Sequence, residues 1–191
     1  MPAMTMSANP WFPIRTERLV LRDFRRRDFD DVHAYGSDPE VARYMDWVPN
    51  TPDQTREFLA RAFDQQSLWP RFGFGLAIVH ATAGRVIGSI GLHLRDGPNR
   101  TAEIGYCLSR EFWRQGLASE AARALVDVGF RTLELHRIFA TCDVRNTASF
   151  GLMERLGMRR EGCFKQDRQI KGELRDTYLY AALASDWLAT S

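Results

Sequence analysis

The stretch that decides the fold runs from Glu103 to Ala121 and reads EIGYCLSREFWRQGLASEA. It begins as an alternating, strand-like segment, and from Leu117 its apolar residues recur at helical spacing. Between these two parts the chain turns at Gly116, a residue type that adopts backbone conformations other residues rarely reach. The first amides of a helix have no partner inside the helix and lie at its positive end. The junction is therefore predicted to bind an anion such as a diphosphate.

Two common phosphate-binding motifs are missing around this turn. No Lys-Ser or Lys-Thr follows Gly116, as a P-loop requires, and no GxGxxG motif follows a first strand. ATP and dinucleotide folds are therefore not favoured. A single glycine is a weak signal, because a glycine that only tightens a strand-to-helix turn explains it about as well. The order of the surrounding elements has to decide between the two.

Regular elements are predicted on both sides of the junction. Three strands precede it, over 74–80, 85–93 and 101–108, because these segments are rich in aliphatic and aromatic residues and are separated by turn residues. Turns this short predict hairpins. After the junction helix, the pattern predicts a strand over 138–144 and a helix from residue 146 to residue 157. A strand, a helix, a strand and a helix in succession imply local parallel pairing.

The two ends of the chain complete the prediction. A strand over 17–24 is followed by short helices that start after Asp28, Asp38 and Thr51, and the chain closes with a hairpin up to residue 183. The fold class is therefore mixed α/β (α+β), with a mixed, mostly antiparallel sheet of six to seven strands and helices on both faces. We expect one domain over 13–191 and a flexible N-terminal segment over 1–12.

Composition excludes several classes of protein. Of 191 residues, 45% are hydrophobic, and 26 basic against 24 acidic residues leave a formal charge of +2, so neither disorder nor nucleic-acid binding is favoured. Three cysteines and four histidines show no metal-ligand or redox spacing, which predicts no metal and a reducing, cytoplasmic location. No apolar run approaches the ~20 residues of a membrane helix, so no membrane partner is expected.

Six segments of the chain, taken in order, resemble a known family. The order makes the match specific, although each segment alone is modest. The chain resembles the GNAT superfamily of acyl-CoA-dependent N-acetyltransferases, and in particular its RimJ/RimL-type branch of ribosomal-protein N-terminal acetyltransferases. The segments are Thr16–Arg22, Asp38–Val41, Glu103–Tyr106, Trp113–Ala121, Asn146–Ser149 and Gly172–Asp176.

The resemblance implies how acetyl-CoA would bind. Residues 113–118 would hold the pyrophosphate, with Trp113 at a place where the superfamily usually has Gln or Arg. The strand over 104–108 would pair with the pantetheine amides. The cofactor-binding residues implied are Ile104, Tyr106, Leu108, Trp113, Arg114, Gln115, Gly116, Leu117, Ala118, Asn146 and Ser149.

Transfer to an amine needs a base, because an alkylamine is mostly protonated at pH 7. Glu103 resembles a strand glutamate that serves as the base in some superfamily members. An equally weighted interpretation makes it a structural carboxylate. Resemblance also points to the backbone amide of Cys107 as the oxyanion donor, whereas its thiol is better explained as a packed strand cysteine than as a nucleophile.

The leaving thiolate is the third requirement. Many superfamily members protonate it with a tyrosine, but Met153 occupies that place here, and Ser149 matches a serine proposed as a substitute in the RimJ/RimL branch. Asn146 would bind the pantetheine or cap the helix, and capping explains both Asn146 and Ser149 nearly as well.

The function predicted is direct transfer of acetyl from acetyl-CoA to a primary amine, on either a protein N-terminus or a small molecule. Asp46 and Trp47, or Asp176 and Tyr178, would border the acceptor cleft. The alternative is an acyl-CoA-binding module without turnover, for which Met153 is the only support. Relatives often form homodimers, so a homodimer remains open.

Overall fold

The structure, a computed structural model, describes residues 12–68 and 70–189. The segment expected to be flexible, 1–12, lies outside the described residues apart from Phe12, whose ring packs against Phe74. The strands are β1 Ile14–Arg15, β2 Leu19–Arg22, β3 Gly73–His80, β4 Val86–Asp96, β5 Thr101–Leu108, β6 Arg137–Asp143, β7 Arg159–Ile170 and β8 Glu173–Leu183. The α-helices are α1 Phe29–Gly36, α2 Pro39–Ala42, α3 Pro52–Ser67, α4 Leu117–Arg131, α5 Thr147–Arg155 and α6 Ala184–Ala189.

All eight strands form one sheet in the order β1-β2-β3-β4-β5-β6-β8-β7. Every neighbouring pair is antiparallel except β5 and β6, which are parallel. The predicted mixed, mostly antiparallel sheet is confirmed, including the local parallel pair. It has one strand more than expected because β1 has two residues, too few to show alternation.

Helices cover both faces of the sheet, as predicted. The larger core lies between the sheet and helices α4, α5 and α6, and the smaller core lies on the opposite face beneath α1 and α3. Alternation along each strand sends successive side chains to the two cores. Leu76 and Ile78 therefore belong to the larger core, while Ala77 and Val79 belong to the smaller one.

Two helix starts follow directly from the sequence. Thr51 and Gln54 form a reciprocal capping box at the start of α3, with Pro52 in the first turn. Helix α4 begins after Gly116 and buries the predicted stripe of Leu117, Ala121 and Leu125. No helix in the described part of the chain is long and apolar enough to span a membrane.

The pair β5 and β6 opens into a fork. Their parallel pairing is confined to Thr101–Glu103 of β5 and Arg137–Phe139 of β6. Beyond these residues no β6 partner is recorded for β5, so from Ile104 onward one edge of β5 lies unpaired within the described structure. Such an edge can accept another extended chain through its backbone groups. The fork leads toward the start of α4.

Candidate active site

Two side chains of the turn before α4 hold it in place, and one of them, Trp113, reaches β5. The indole Nε1 of Trp113 donates to the Leu108 carbonyl at 2.7 Å, and Nε2 of Gln115 donates to the Glu111 carbonyl at 2.9 Å. The Trp113 indole thus fixes the turn at the end of the unpaired β5 edge, a role that the sequence alone did not indicate.

The backbone of this turn is shaped to bind an anion. Arg114 and Gly116 have φ values of 60° and 77°, on either side of Gln115. Left-handed residues within a tight turn can direct successive backbone amides toward one point. No side chain caps α4, and within the described residues the amides of residues 116–119 have no recorded hydrogen-bond partner. The amides sit where sequence reasoning predicted a pyrophosphate site.

An ion-pair network braces the turn from the neighbouring β2 side. The Arg18 guanidinium donates to the Gln115 carbonyl at 2.9 Å and to Oε2 of Glu120 at 2.7 Å, and the Thr16 hydroxyl donates to Oε1 of Glu120 at 2.6 Å. Burial would raise the pKa of Glu120, but the hydrogen bonds from Thr16 and Arg18 outweigh it and lower that pKa. In the sequence these residues lie in two separate segments of the family resemblance, and no local pattern predicts their contact.

The side chains of β5 alternate as predicted. Ile104 and Leu108 are buried in the larger core, so only their backbone faces the fork. Tyr106 lies on the same side of the strand, and its hydroxyl contacts the Ser149 carbonyl at 3.2 Å and the Ser149 hydroxyl at 3.3 Å. Burial raises the pKa of Tyr106 far above its usual value, so this hydroxyl is neutral. The Tyr106–Ser149 contact, which the sequence did not predict, spans the fork from β5 to α5.

Asn146 caps helix α5. Its side-chain oxygen accepts from the Ser149 amide at 3.2 Å, which leaves the amide nitrogen of its side chain available to a ligand. The capping interpretation of Asn146 is therefore correct, and a ligand contact remains compatible with it.

Met153 is 2% exposed in the larger core, so it faces the interior of the domain rather than the fork.

Glu103 lies at the point where β5 and β6 separate. Its Oε2 accepts two hydrogen bonds from Arg95, at 2.8 and 2.6 Å, and its Oε1 accepts one from the Thr141 hydroxyl at 3.3 Å. Both carboxylate oxygens are thus hydrogen-bonded. This arrangement fits the structural role, which the sequence left open as the alternative to the role of base.

Cys107 faces the smaller core, opposite Ser89 of β4, and its sulfur lies 3.1 Å from the Ser89 hydroxyl oxygen. Burial raises the pKa of the Cys107 thiol, which keeps it protonated and poorly nucleophilic. None of the described histidines makes a recorded hydrogen bond to it. These contacts fit a packed strand cysteine.

A cavity of about 410 Å³ opens beside Cys107, between α1, α3 and the segment that joins α2 to α3. Asp46 and Trp47, predicted to border an acceptor cleft, line it, whereas Asp176 and Tyr178 do not. The Tyr35 hydroxyl in its wall is buried and has no hydrogen-bond partner among the described residues. Asp176 is instead held by Lys165 at 2.7 Å.

Three glycines stand opposite one another on β3, β4 and β5, on the face of the sheet that carries Cys107. Gly75 pairs with Gly91, and Gly91 pairs with Gly105; we call Gly75, Gly91 and Gly105 the glycine row. No atom lies within 4 Å of the position that a Cβ would take at Gly75 or at Gly105. The sheet surface is therefore open above Gly75 and above Gly105, while the His93 ring covers Gly91 between them. We call the open space above Gly105, at the unpaired β5 edge, the acceptor channel. Among the described residues, no group of three acidic, histidine or cysteine side chains is placed to hold a metal ion.

The fork, the amides at the start of α4 and the order of the strands agree with a family assignment from sequence. A family profile described as an acetyltransferase (GNAT) domain matches residues 18–159. The chain belongs to the GNAT acetyltransferase family. Proteins of this family transfer acetyl groups from acetyl-CoA to amines, and the chain is accordingly an N-acetyltransferase.

Relatives support this assignment over most of the chain. The uncharacterized N-acetyltransferase p20 of Bacillus licheniformis is 37% identical over 90% of this chain and 96% of its own length. A solved structure of a GNAT-family acetyltransferase from Bacillus anthracis superposes with a TM-score of 0.81 at 35% identity, covering 90% of this chain and 98% of that one. The ribosomal-protein-serine acetyltransferase of Escherichia coli is 36% identical, but over only 51% of this chain and 55% of its own length.

Proposed function

We propose that this GNAT enzyme binds acetyl-CoA along the fork between β5 and β6 and transfers the acetyl group directly to a primary amine. The observation that carries the proposal is the coincidence of two features. An unpaired strand edge and a set of unpartnered helix amides meet at one turn. An extended, amide-bearing chain that ends in a diphosphate matches both features.

The proposed cofactor contacts follow from this arrangement. The turn residues would hold the diphosphate mainly through backbone amides, and the β5 backbone would pair with the pantetheine amides. Asn146 and Ser149 lie across the fork from β5. The residues assigned to the cofactor are Ile104, Tyr106, Leu108, Trp113, Arg114, Gln115, Gly116, Leu117, Ala118, Asn146 and Ser149.

Three groups are proposed for the chemistry. The amide of Cys107 would donate to the oxyanion that develops on the thioester carbonyl. The Ser149 hydroxyl, in contact with the Tyr106 hydroxyl, would assist the leaving thiolate. Because the CoA thiol has a pKa near the ~8.5 of a cysteine, this assistance is worth little. The third group is Glu103, at the point where β5 and β6 separate, with the role of base or of structural carboxylate.

The cavity beside Cys107 supports a small amine as the acceptor. Its volume of about 410 Å³ lies in the range of small-molecule sites, which is ~300–1,000 Å³. Asp46, Glu57 and Arg61 lie at its exposed rim; Arg61 is paired with Glu57 at 4.0 Å, whereas no ion pair of Asp46 is recorded within the described residues. The unpartnered Tyr35 hydroxyl gives a bound polar group a partner deeper inside. A cationic amine with a compact apolar body suits this lining.

A protein N-terminus is the second acceptor class. The partial match to the ribosomal-protein-serine acetyltransferase of Escherichia coli favours it, as does the resemblance to the RimJ/RimL-type branch. An acyl-CoA-binding module without turnover loses its one support, because Met153 lies in the core while Ser149 lies at the fork.

One experiment tests the proposal at the turn before α4. Gly116→Ala and Gly157→Ala both place a side chain at a positive φ, 77° and 82°, so each should lose about 1–3 kcal/mol of stability. Only the change at Gly116 should weaken CoA binding in calorimetry, by about tenfold or more, since it alone reshapes the anion site.

The wild-type protein is then mixed with acetyl-CoA and a panel of amines, and release of the CoA thiol is measured. The panel contains small monoamines, diamines, amino acids and short peptides with free N-termini. Thiol release with one of these classes supports the proposal. CoA that binds no more tightly than dephosphorylated pantetheine, or equal CoA affinity in both alanine variants, would overturn it.

A further inference from the structure

We propose that His93 of β4, rather than Glu103, accepts the proton from the attacking amine, and that Glu103 acts as a positioning residue for the histidine. This inference rests on the proposed acetyl transfer and deepens it. No sequence motif marks His93, which lies two residues after Gly91 and ten before Glu103.

The strand register places His93 at the fork. His93 pairs with Glu103 across β4 and β5, and Gly91 and Ser89 pair in turn with Gly105 and Cys107. Because side chains two residues apart share a face, His93 lies on the same face as the glycine row and the mouth of the cavity. The amine must cross this face to reach a thioester held at the β5 edge.

The ring of His93 lies along β4, over Gly91 and close to Gly73. Its Nε2 lies 2.6 Å from where a Cβ would stand on Gly91, and its Nδ1 lies 2.9 Å from the corresponding point on Gly73. Real Cβ atoms do not approach so closely, so the ring occupies space that exists only because both residues are glycines. Paired residues on neighbouring strands stand about 4.5–5.5 Å apart. An amine above Gly105 would therefore lie within reach of Nε2, directly or through one water.

The surroundings keep this imidazole neutral. Burial lowers the pKa of His93, and the neighbouring cations Arg95 and Arg71 lower it further, while Glu103 partly opposes them. These are the charged groups that face the ring from β4, β5 and the segment before β3. A neutral imidazole has a lone pair to accept a proton at pH 7, and within the described residues neither ring nitrogen has a recorded hydrogen bond.

Glu103 acts on His93 through its charge, and its own oxygens are engaged elsewhere. Its Oε2 is held by Arg95 through two hydrogen bonds, at 2.8 and 2.6 Å, and its Oε1 by Thr141. Removing a proton from the amine would compete with the Arg95 contacts. Its carboxylate also offsets part of the cationic field on His93, so the imidazolium formed during the reaction is stabilised beside it.

The proton balance of the step is simple. The lone pair of the neutral amine forms a C–N bond to the carbonyl carbon, and one N–H proton passes to His93. The C–S bond breaks and the electron pair leaves with sulfur. The proton held by His93 returns through solvent to the thiolate, so the products are the acetamide and free CoA thiol.

The test compares His93→Gln with Glu103→Gln, and uses His136→Gln, a change at an exposed histidine, as the matched control. We expect His93→Gln to lower kcat by about 10²-fold or more, with unchanged CoA affinity. In the wild type, kcat should fall as the pH drops through the pKa of His93, below ~6.5, because the imidazole becomes protonated. This acid limb should vanish in His93→Gln and persist in Glu103→Gln and His136→Gln.

A second readout needs no turnover. NMR titration of the CoA-free protein should show that His93 titrates below ~6.5, and Glu103→Gln should lower its pKa further, because an opposing negative charge is lost. A His93→Gln variant with wild-type kcat, an acid limb lost only in Glu103→Gln, or a His93 pKa above 6.5 would each overturn the inference while acetyl transfer stands. No thiol release by the wild type from any amine would instead overturn the proposed function, and the inference with it.

Discussion

The two faces of strands β3, β4 and β5 differ sharply although they are built from alternate residues of the same segments. On the face toward α4, Leu76, Ile90 and Ile104 are at most 2% exposed in the larger core. On the opposite face, the adjacent positions carry the glycine row, and Gly105 is exposed. The first face is filled by side chains along its length, whereas the second, which we call the open face, is bare of them above Gly75 and Gly105.

This difference separates stability from function. Burying a large aliphatic side chain stabilises a fold by about 1.5–3 kcal/mol, whereas a glycine in a strand has no side chain to pack and weakens it. Three aligned glycines beside the fork therefore lower the stability of the sheet. We attribute their presence to the space that the acceptor needs. Substitutions on the two faces should separate cleanly into those that unfold the protein and those that stop turnover.

The largest effect is expected on the filled face. Leu76→Ala removes a fully buried side chain and should lower the free energy of unfolding by about 2–5 kcal/mol. Urea denaturation measures this loss, and kcat of the folded fraction should stay close to that of the wild type. A stability loss below 1 kcal/mol would show that the core collapses around the site, which would weaken the contrast between the faces.

Filling the open face should act on catalysis instead. Gly105→Val places a side chain where no atom lies within 4 Å, so the fold should tolerate it. The branched side chain would stand on the channel floor beside the thioester and should lower kcat/KM by about 10²-fold, or about 2.7 kcal/mol. Steady-state kinetics and a thermal melt test this together. Normal turnover with an unchanged melt would show that the amine approaches by another path.

The ion pairs of the buried Asp143, away from the β3–β5 faces, provide a control in which stability should depend on pH. Burial alone would raise the pKa of Asp143, but hydrogen bonds from Arg145 and Arg175 outweigh it and lower that pKa. A lowered pKa stabilises the fold above the unfolded value of ~3.9, and this contribution is lost as the pH falls through the folded pKa. Asp143→Asn should cost about 1–3 kcal/mol at pH 7, with a flatter stability profile below pH 4. A profile as steep as that of the wild type would assign the acid sensitivity to another carboxyl.

The smallest effect is expected next to Leu76 on the open face. Gly75→Ala adds a Cβ into free space at a φ that is not positive, so it should raise the free energy of unfolding by about 0.4–1 kcal/mol. The same denaturation and kinetic assays apply. A loss of turnover in this variant would extend the acceptor channel as far as β3.

Much of the fold was predictable because local patterns were strong. The three central strands, the cap at Thr51, the stripe from Leu117 and the helix cap at Asn146 all appear where the sequence indicates them. The two-residue β1 and the final helix α6 were not predicted, since short elements have no period to detect.

The candidate site was only partly predictable. The turn at Gly116 and the alternation of Glu103 with Ile104 follow from the sequence, and the family resemblance supplied their roles. His93 was missed because a regular hairpin register through the 97–100 turn pairs it with Ile104, and only the irregularity between Leu94 and Asp96 brings it opposite Glu103. The Arg18–Glu120 contact joins residues about a hundred positions apart, and no local signal predicts it.

The sequence by itself determined most of the longer strands and helices, and it placed a glycine turn between β5 and α4, because periodicity, capping and backbone freedom are local properties. Only the tertiary structure decided that β5 separates from β6 after Glu103, that Gly75, Gly91 and Gly105 line up across three strands, and that the His93 ring lies over Gly91 and Gly73. These features depend on strand register and on the space left between distant segments, and both are set when the two cores pack against the sheet.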